Sequence, residues 1–197
     1  CYFRESVSWS DVTSGNTSFR YFPSGFIYDI TGMSAQSSSK EVLNKTLLFA
    51  NTPIVDWFVR SLNPTLHFQI GNYSVLPFLE GWFESFDSSV ADILISESKS
   101  DWDSFETSWG FVSNNLIIGN KLSKVFSLLL ENNKNKINNM KKMEEDVNKD
   151  IISAYGLSNY LEHTRDVKEI TLNCNPLYRY SETSDDAENR YVSDTFG

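Results

Sequence analysis

Cysteine and histidine are scarce in the 197 residues: Cys1, Cys174, His67 and His163 are the whole supply. Two cysteines are too few for a disulfide scaffold. The four residues together have none of the paired spacing that tetrahedral zinc requires. No apolar run approaches the roughly 20 residues that cross a bilayer as a helix. Residues 1–11 are polar and lack the pattern of a secretory signal. A glycine-rich phosphate loop is also missing. No nucleophile–base set stands out, because only Cys174, His67 and His163 could supply one, and His67 sits in an alternating stretch that reads as an exposed strand. These absences indicate an intracellular, cytoplasmic chain with little sign of an enzyme centre of its own. Three glycosylation sequons, beginning at Asn16, Asn44 and Asn72, are about what chance gives in a chain rich in Asn, Ser and Thr.

What is present is aromatic and acidic. The 5 Trp, 9 Tyr and 14 Phe exclude general disorder, and the length fits one medium domain or two small ones. The net charge of -9 is uneven. Residues 1–79 carry 5 bases and 5 acids, residues 80–120 carry 8 acids against Lys99 alone, residues 121–160 carry 7 lysines against 5 acids, and residues 161–197 carry 4 bases against 8 acids. A free-standing nucleic-acid binder is usually basic. The balance therefore weighs against that role, except in a module that shares phosphate contacts with a larger protein.

Along the chain, Ser8–Ser10, Phe19–Phe22 and Phe26–Ile30 read as short strands separated by turn clusters at 13–16 and 23–25. Ser34 to Lys40 reads as a polar loop. Val42 to Ser61 has apolar residues at helical spacing, and Asn63, before Pro64, is the expected stop. Leu66, Phe68 and Ile70 then alternate with His67 and Gln69, the period of a half-buried strand, with Gly71-Asn72 as a turn and an extended piece from Val75. Phe78, Trp82, Phe83 and Phe86 fit one helical face, and Val90–Ile95 fits another. The segment 101–111 is dense in acids and aromatics. A metal site is conceivable there, but an exposed acidic connector pinned by Trp and Phe is the plainer reading. Residues 116–155 read as one helix: apolar residues recur in steps of three and four from Leu122 to Ala154, which predicts a helix about 50 Å long closed by Gly156. The remainder has mixed charge and looks cut from a longer protein. The expected division is an α+β domain over 1–95, a connector over 96–120, a spacer helix over 121–156 and a C-terminal segment over 157–197.

Two sets of residues bear on chemistry. Asn175-Pro176-Leu177-Tyr178 resembles the Asn-Pro-Pro-Tyr loop that binds the target base in amino-methyltransferases. It departs at the third position, has no S-adenosylmethionine loop with it, and reads more simply as a turn before a Tyr-Arg-Tyr strand. The second set is polar and lies in loops: Asn16, Thr17, Ser18 and Arg20 around the first turn, and Gln36, Ser37, Ser38 and Lys40 before the helix. Arg, Asn, Gln and Ser are the side chains that read base edges and hold phosphates, and they are also ordinary solvated loop residues.

Three stretches resemble a known family. Ser8-Trp9-Ser10-Asp11-Val12-Thr13-Ser14-Gly15 leading to Arg20–Asp29, the corner Leu62-Asn63-Pro64-Thr65-Leu66-His67-Phe68-Gln69-Ile70-Gly71-Asn72 through Leu76-Pro77, and Asp101-Trp102-Asp103-Ser104-Phe105-Glu106-Thr107-Ser108-Trp109 look like the target recognition domain, and the signature just after it, of the PglX family. These are the adenine-specific DNA methyltransferases of the BREX phage-defence systems. Tyr155-Gly156-Leu157 fits the same family. Type I restriction specificity subunits share the helix-then-strand plan more loosely.

The resemblance covers nearly the whole chain and implies several things. The fold would be α+β: a twisted, mainly antiparallel β unit with a packed helix, similar to a Type I specificity-subunit recognition domain, then a long helix and a C-terminal segment. The partners would be double-stranded DNA, the methyltransferase core of the same parent chain and other defence-system proteins, with no membrane. S-adenosylmethionine would serve the parent and no cofactor would sit in this fragment, which would not catalyse alone. No catalytic residue carries over. Asn16, Thr17, Ser18, Arg20, Gln36, Ser38 and Lys40 remain the candidate DNA contacts. The alternative is a helical protein-interaction module that binds no nucleic acid.

Overall fold

The computed structural model describes residues 2–13, 17–62, 65–113, 122–180 and 183–196. In chain order it contains strands β1 (Ser6–Ser10), β2 (Arg20–Phe22) and β3 (Gly32–Gln36), then helices α1 (Lys40–Ala50), α2 (Pro53–Leu62), α3 (Ile70–Ser74), α4 (Glu80–Ser85), α5 (Ser89–Asp103) and α6 (Leu122–Ala154). A 3-10 turn at Val167–Glu169 and helices α7 (Pro176–Tyr180) and α8 (Ser184–Phe196) follow. The class is α+β, with one small antiparallel sheet of order β2-β1-β3. The chain divides into two compact units, Cys1–Asp92 with Asp146–His163, and Ile93–Glu145 with Thr164–Gly197. Among the described residues, no helix is long and apolar enough to cross a membrane.

In the first unit, β1 is covered on both faces. Val7 and Trp9 are buried on one side, and Ser6 and Ser8 on the other. The serines are satisfied where they lie: the Ser8 hydroxyl donates to the Met33 carbonyl at 2.7 Å, and the Ser6 hydroxyl bonds the Tyr28 hydroxyl. Phe22 packs on Phe26 and Tyr28. Phe26–Ile30 is therefore not the third strand. The true third strand, Gly32–Gln36, falls partly in the stretch expected to be a polar loop. Asp29 explains the shift. Its Oδ1 accepts from the Thr31 hydroxyl at 2.7 Å and from the backbone N–H of Thr31 and Gly32 at 2.9 and 3.0 Å. That turn delivers the chain into register with β1, from Ser10↔Gly32 to Ser6↔Gln36. The same bonds, led by the Thr31 hydroxyl, hold the Asp29 carboxyl below the usual carboxylate range.

The single helix expected over 42–61 is two helices. Thr52 precedes Pro53, and a residue before proline avoids the helical region. Pro53 then opens α2, where its missing N–H costs nothing. Asn51 uses the break: its Oδ1 accepts from Phe19 N–H at 3.1 Å, and its Nδ2 donates to the carbonyls of Phe19 and Leu47, each at 3.0 Å. The helix junction thus holds the entry to β2. Ser39 caps α1, accepting from Val42 N–H at 3.4 Å.

The corner also differs from expectation. Asn63 and Pro64, the expected helix stop, lie outside the described residues. Leu66–Ile70 is not a half-buried strand: only His67 pairs, as an isolated bridge with Val12, and of the alternating set only Phe68 is buried while Leu66 and Ile70 are exposed. Gly71-Asn72 is not a turn but lies within α3, because the Asn72 side chain accepts from Gln69 N–H at 2.9 Å and closes the first helical turn. The core here is aromatic. Trp9 stacks on Tyr73 at 4.9 Å and donates its indole N–H to the Phe68 carbonyl at 2.9 Å, and Phe19 meets both Trp9 and Phe68. Phe49 packs between Phe78 and Tyr155.

In the second unit, Ile137 and Met140 of α6 pack with Ile170, Leu172 and Cys174, flanked by Leu94 and Val167. The long helix ends as its sequence indicated. Gly156 adopts φ +69, and Leu157 N–H reaches back to the Ile152 carbonyl at 3.0 Å, the closing bond of a glycine-capped terminus. Within the acidic segment, Asp101 is buried, Phe105 and Phe111 are half-buried, Trp109 is fully exposed and Trp102 half exposed. Asn175-Pro176-Leu177-Tyr178 differs from a turn before a strand: Pro176–Tyr180 is α7.

Candidate nucleic-acid interface

The residues expected to read DNA fall into two groups. Asn16 lies outside the described residues. Thr17 is half-buried and Ser18 exposed, just before β2. Arg20 opens β2, exposed, with its Nη1 donating to the Phe19 carbonyl at 3.0 Å. Gln36 closes β3, Ser38 is exposed in the connection to α1, and Lys40 is the first residue of that helix.

The sheet register relates them. Arg20 stands opposite Ser8, which stands opposite Ser34; Gln36 stands opposite Ser6, which stands opposite Phe22. Cross-strand partners share a face, and alternate residues of one strand do too. Arg20 and Gln36 therefore belong to one face, at opposite edges, and Tyr21 to the other. Lys40 joins the Tyr21 side: its Nζ lies 3.4 Å from the Tyr21 ring centroid and 4.0 Å from Asp92 Oδ1. So Gln36, Ser38 and Lys40 are neighbours in sequence and space, while Arg20 and Lys40 work on different faces. Part of the serine run is structural, since Ser37 Oγ accepts from Ser39 N–H at 3.1 Å and Ser39 caps α1.

Sequence reasoning overlooked several polar residues. Lys45 is a lysine on the buried side of α1, paired with Glu41 at 2.7 Å with only 4% of its side chain exposed. Asp11 and His67 meet at 3.0 Å although 56 residues apart, and no local periodicity could reveal a pair brought together by chain reversal. Asn175 is buried and donates to the carbonyls of Val167 and Ile170 at 2.7 and 2.8 Å, so its amide holds a loop instead of facing a ligand. Burial, then the Asp101 carboxylate, push the Cys174 thiol well above its ordinary range, which makes it a poor nucleophile. Among the described residues, no group of three or more His, Cys, Asp and Glu could hold a metal ion.

No protein-family model matches the chain. Two curated proteins do. The adenine-specific methyltransferase PglX of Lacticaseibacillus casei (strain Zhang) is 31% identical over 177 residues, which is 86% of this chain and 15% of that protein. The adenine-specific methyltransferase BrxX of Escherichia coli O9:H4 (strain HS) is 32% identical over 200 residues, 98% of this chain and 16% of that protein. The chain thus spans about one sixth of the length of the curated relatives it matches.

Proposed function

Since the chain is related along nearly its whole length to one stretch of the PglX-type adenine-specific methyltransferases, we propose that it is the DNA sequence-recognition region of an adenine-N6 DNA methyltransferase from a bacterial phage-defence system. In this reading it binds duplex DNA and presents the target to a separate catalytic domain. That domain, in the same parent chain, binds S-adenosylmethionine and flips the adenine out of the stack, because chemistry on a base requires its extrusion. The recognition unit is the small sheet with α1 and α2, comparable in plan to a Type I specificity subunit. α6 is the spacer that sets the distance between reader and active site.

The observation that carries the proposal is the pair of relatives, both named as adenine-specific methyltransferases and each matched over about a sixth of its length. The polar residues at the sheet edges support it. Arg20 offers the bidentate geometry that reads guanine in the major groove, and Gln36 offers the pairing suited to adenine. The test is a segment exchange: residues 1–95 are transplanted into a full-length relative of different specificity, and methylated adenines are mapped across a genome. If this region reads sequence, the methylated motif follows the transplanted segment. If the recipient keeps its own motif with undiminished activity, the proposal fails.

A second reading has one observation in its favour. Trp109 and Val112 are 102% and 90% exposed, on a chain of acidic net charge, as a protein-interaction module would present them. The exchange experiment separates the two, because such a module would leave the motif unchanged.

A further inference from the structure

The connection from β2 to β3 is a strap across the sheet. The order β2-β1-β3 puts the two ends of residues 23–31 on opposite sides of β1. The strap crosses the face that holds Ser6, Ser8, Arg20 and Gln36. Phe22, on that face opposite Ser6, packs against Phe26 and Tyr28, and the Tyr28 hydroxyl bonds the Ser6 hydroxyl. Both ends are pinned. At the start, Gly25 N–H donates to the Phe3 carbonyl at 3.1 Å and Phe3 N–H to the Phe26 carbonyl at 3.2 Å. Gly25 turns the chain back at φ +106, a conformation open to glycine. At the end, the Asp29 turn closes the strap, and the Thr31 carbonyl accepts from Asp11 N–H at 2.9 Å. Tyr28 is half-buried, but Phe26, Ile27 and Ile30 are 42%, 63% and 87% exposed. A single exposed apolar side chain is ordinary; three on one short, pinned strap make an apolar surface. Its one charge, Asp29, is turned to the chain itself, with Oδ1 taking three donors.

We propose that Ile27 and Ile30 read thymine, packing against its 5-methyl group in the major groove between the contacts of Arg20 and Gln36. This rests on the DNA-recognition reading above and adds specificity-determining residues to it. Position and chemistry both name the occupant. Arg20 and Gln36 stand at the two edges of the face that the strap crosses, so a duplex read from both edges lies over the strap. There the strap offers side chains that can neither donate to phosphate nor pair with the polar edges of the bases. The apolar group that the major groove displays is the thymine methyl. Packing isoleucine on it removes both surfaces from water. Because the strap is already fixed at both ends, little backbone ordering opposes binding.

The experiment uses the full-length protein and duplexes carrying its mapped motif. Each thymine in turn is replaced by deoxyuridine, which lacks only the methyl group. A motif with a target adenine contains at least the thymine paired to it. Wild type, Ile27→Ala, Ile30→Ala and Arg20→Ala are compared, with thermal melts confirming that each is folded at the assay temperature. Deoxyuridine at one or two positions should weaken wild-type binding about fourfold, the worth of one buried methyl group. Ile27→Ala or Ile30→Ala should bind the thymine duplex weaker by about the same factor and lose the discrimination at that position. The salt dependence of both should stay that of wild type, since no phosphate contact is lost, and Arg20→Ala should still tell thymine from deoxyuridine. If wild type binds every deoxyuridine duplex as tightly as the thymine duplex, or if both isoleucine variants keep full discrimination, this inference is overturned. A variant that methylates all sites more slowly with discrimination intact also overturns it, and assigns the strap to a contact within the parent protein. The DNA-recognition reading survives any of these if the methylated motif follows residues 1–95 in the exchange. A wild-type protein that binds its motif no better than a scrambled duplex, with a motif that stays behind in the exchange, overturns both.

Discussion

Asp101 should be among the most sensitive positions in the second unit. It is 4% exposed, its Oδ2 accepts from Asn173 N–H at 2.5 Å, and its Oδ1 accepts from Cys174 N–H at 3.1 Å. One carboxylate on α5 therefore satisfies two consecutive backbone donors 72 and 73 residues away, beside the apolar cluster that contains Cys174. Hydrogen bonds to a charged group contribute about 1.5–3 kcal/mol each, and a buried donor left unpaired costs about 1–3 kcal/mol. Asn173 is half-buried, so water can reach it once the carboxylate is gone; Cys174 is not so placed. The expected cost of Asp101→Ala is therefore about 3–5 kcal/mol. Asp101→Asn keeps one acceptor oxygen but turns an NH2 toward the second N–H, donor against donor, and should cost about 2–4 kcal/mol. At roughly 2–4 °C per kcal/mol for a chain of this size, the alanine variant should melt about 6–20 °C lower.

Thermal melting of a chain with two compact units need not be one transition. Hydrogen exchange is the sharper assay. The amides of Asn173 and Cys174 should exchange much faster in both variants, while Trp9 and Phe68 in the first unit keep their protection. Peptide-resolved labelling should also find the Cys174 thiol more reactive, since Asp101 contributes both its charge and a hydrogen bond to the suppression that burial leads. A melting point within about 1 °C of wild type, with unchanged exchange at both amides, would refute this account of the loop.

In Trp9→Phe, the Phe68 carbonyl loses its buried indole donor and Tyr73 loses part of its stacking partner; the urea midpoint should fall by the equivalent of about 2–3 kcal/mol without a change in slope. At alkaline pH, burial pushes the Tyr191 hydroxyl from 10.0 up to about 12, and it raises the Cys174 thiol from its ordinary 9.0. The unfolded chain then ionises first, so stability is full below pH 9 and declines above it as the unfolded groups lose protons. Denaturant midpoints measured upward from pH 9 should fall, and Tyr191→Phe with Cys174→Ser should remove most of that decline. Arg20→Ala in the full-length protein should relax or erase one base position of the methylated motif; a uniform drop in methylation would assign Arg20 to phosphate positioning.

Periodicity read the long helix well because a 33-residue element offers many repeats, and Gly156 marked its end by a backbone conformation that glycine adopts freely. Short elements were less legible. Leu66, Phe68 and Ile70 alternate correctly for a strand, but three residues carry too little pattern to outweigh Asn72, whose side chain caps a helix turn instead. The break at Asn51-Thr52-Pro53 was visible in the residues, since proline disfavours a helical predecessor, yet the apolar spacing on either side continued smoothly through it. Asp29 and Asp101 show what no local pattern supplies. One sets the start of β3 and the other holds a loop more than 70 residues distant, and an isolated carboxylate in a sequence reads as surface charge until its partners are known.

The same limit applies to counting bases in a candidate DNA surface, and it leads to a last prediction. Residues 1–79 carry 5 bases, Arg4, Arg20, Lys40, Lys45 and Arg60. Three face carboxylates: Lys45 meets Glu41 at 2.7 Å, Arg60 meets Asp56 at 3.0 Å, and Lys40 stands over Tyr21 with Asp92 at 4.0 Å. A phosphate drawing on any of these must compete with a charge already in place, and Lys45 is nearly inaccessible to one. Arg20 donates to a neutral carbonyl, and Arg4 is exposed. At most these two exposed bases are then left for phosphates. Each neutralised phosphate contributes about −0.9 to the slope of log affinity against log salt, so the isolated chain should show a slope no steeper than about −2. A slope of about −4.5 for the isolated chain would mean that the carboxylate-paired bases are released to DNA, and the division of its charges argued from these contacts would be wrong.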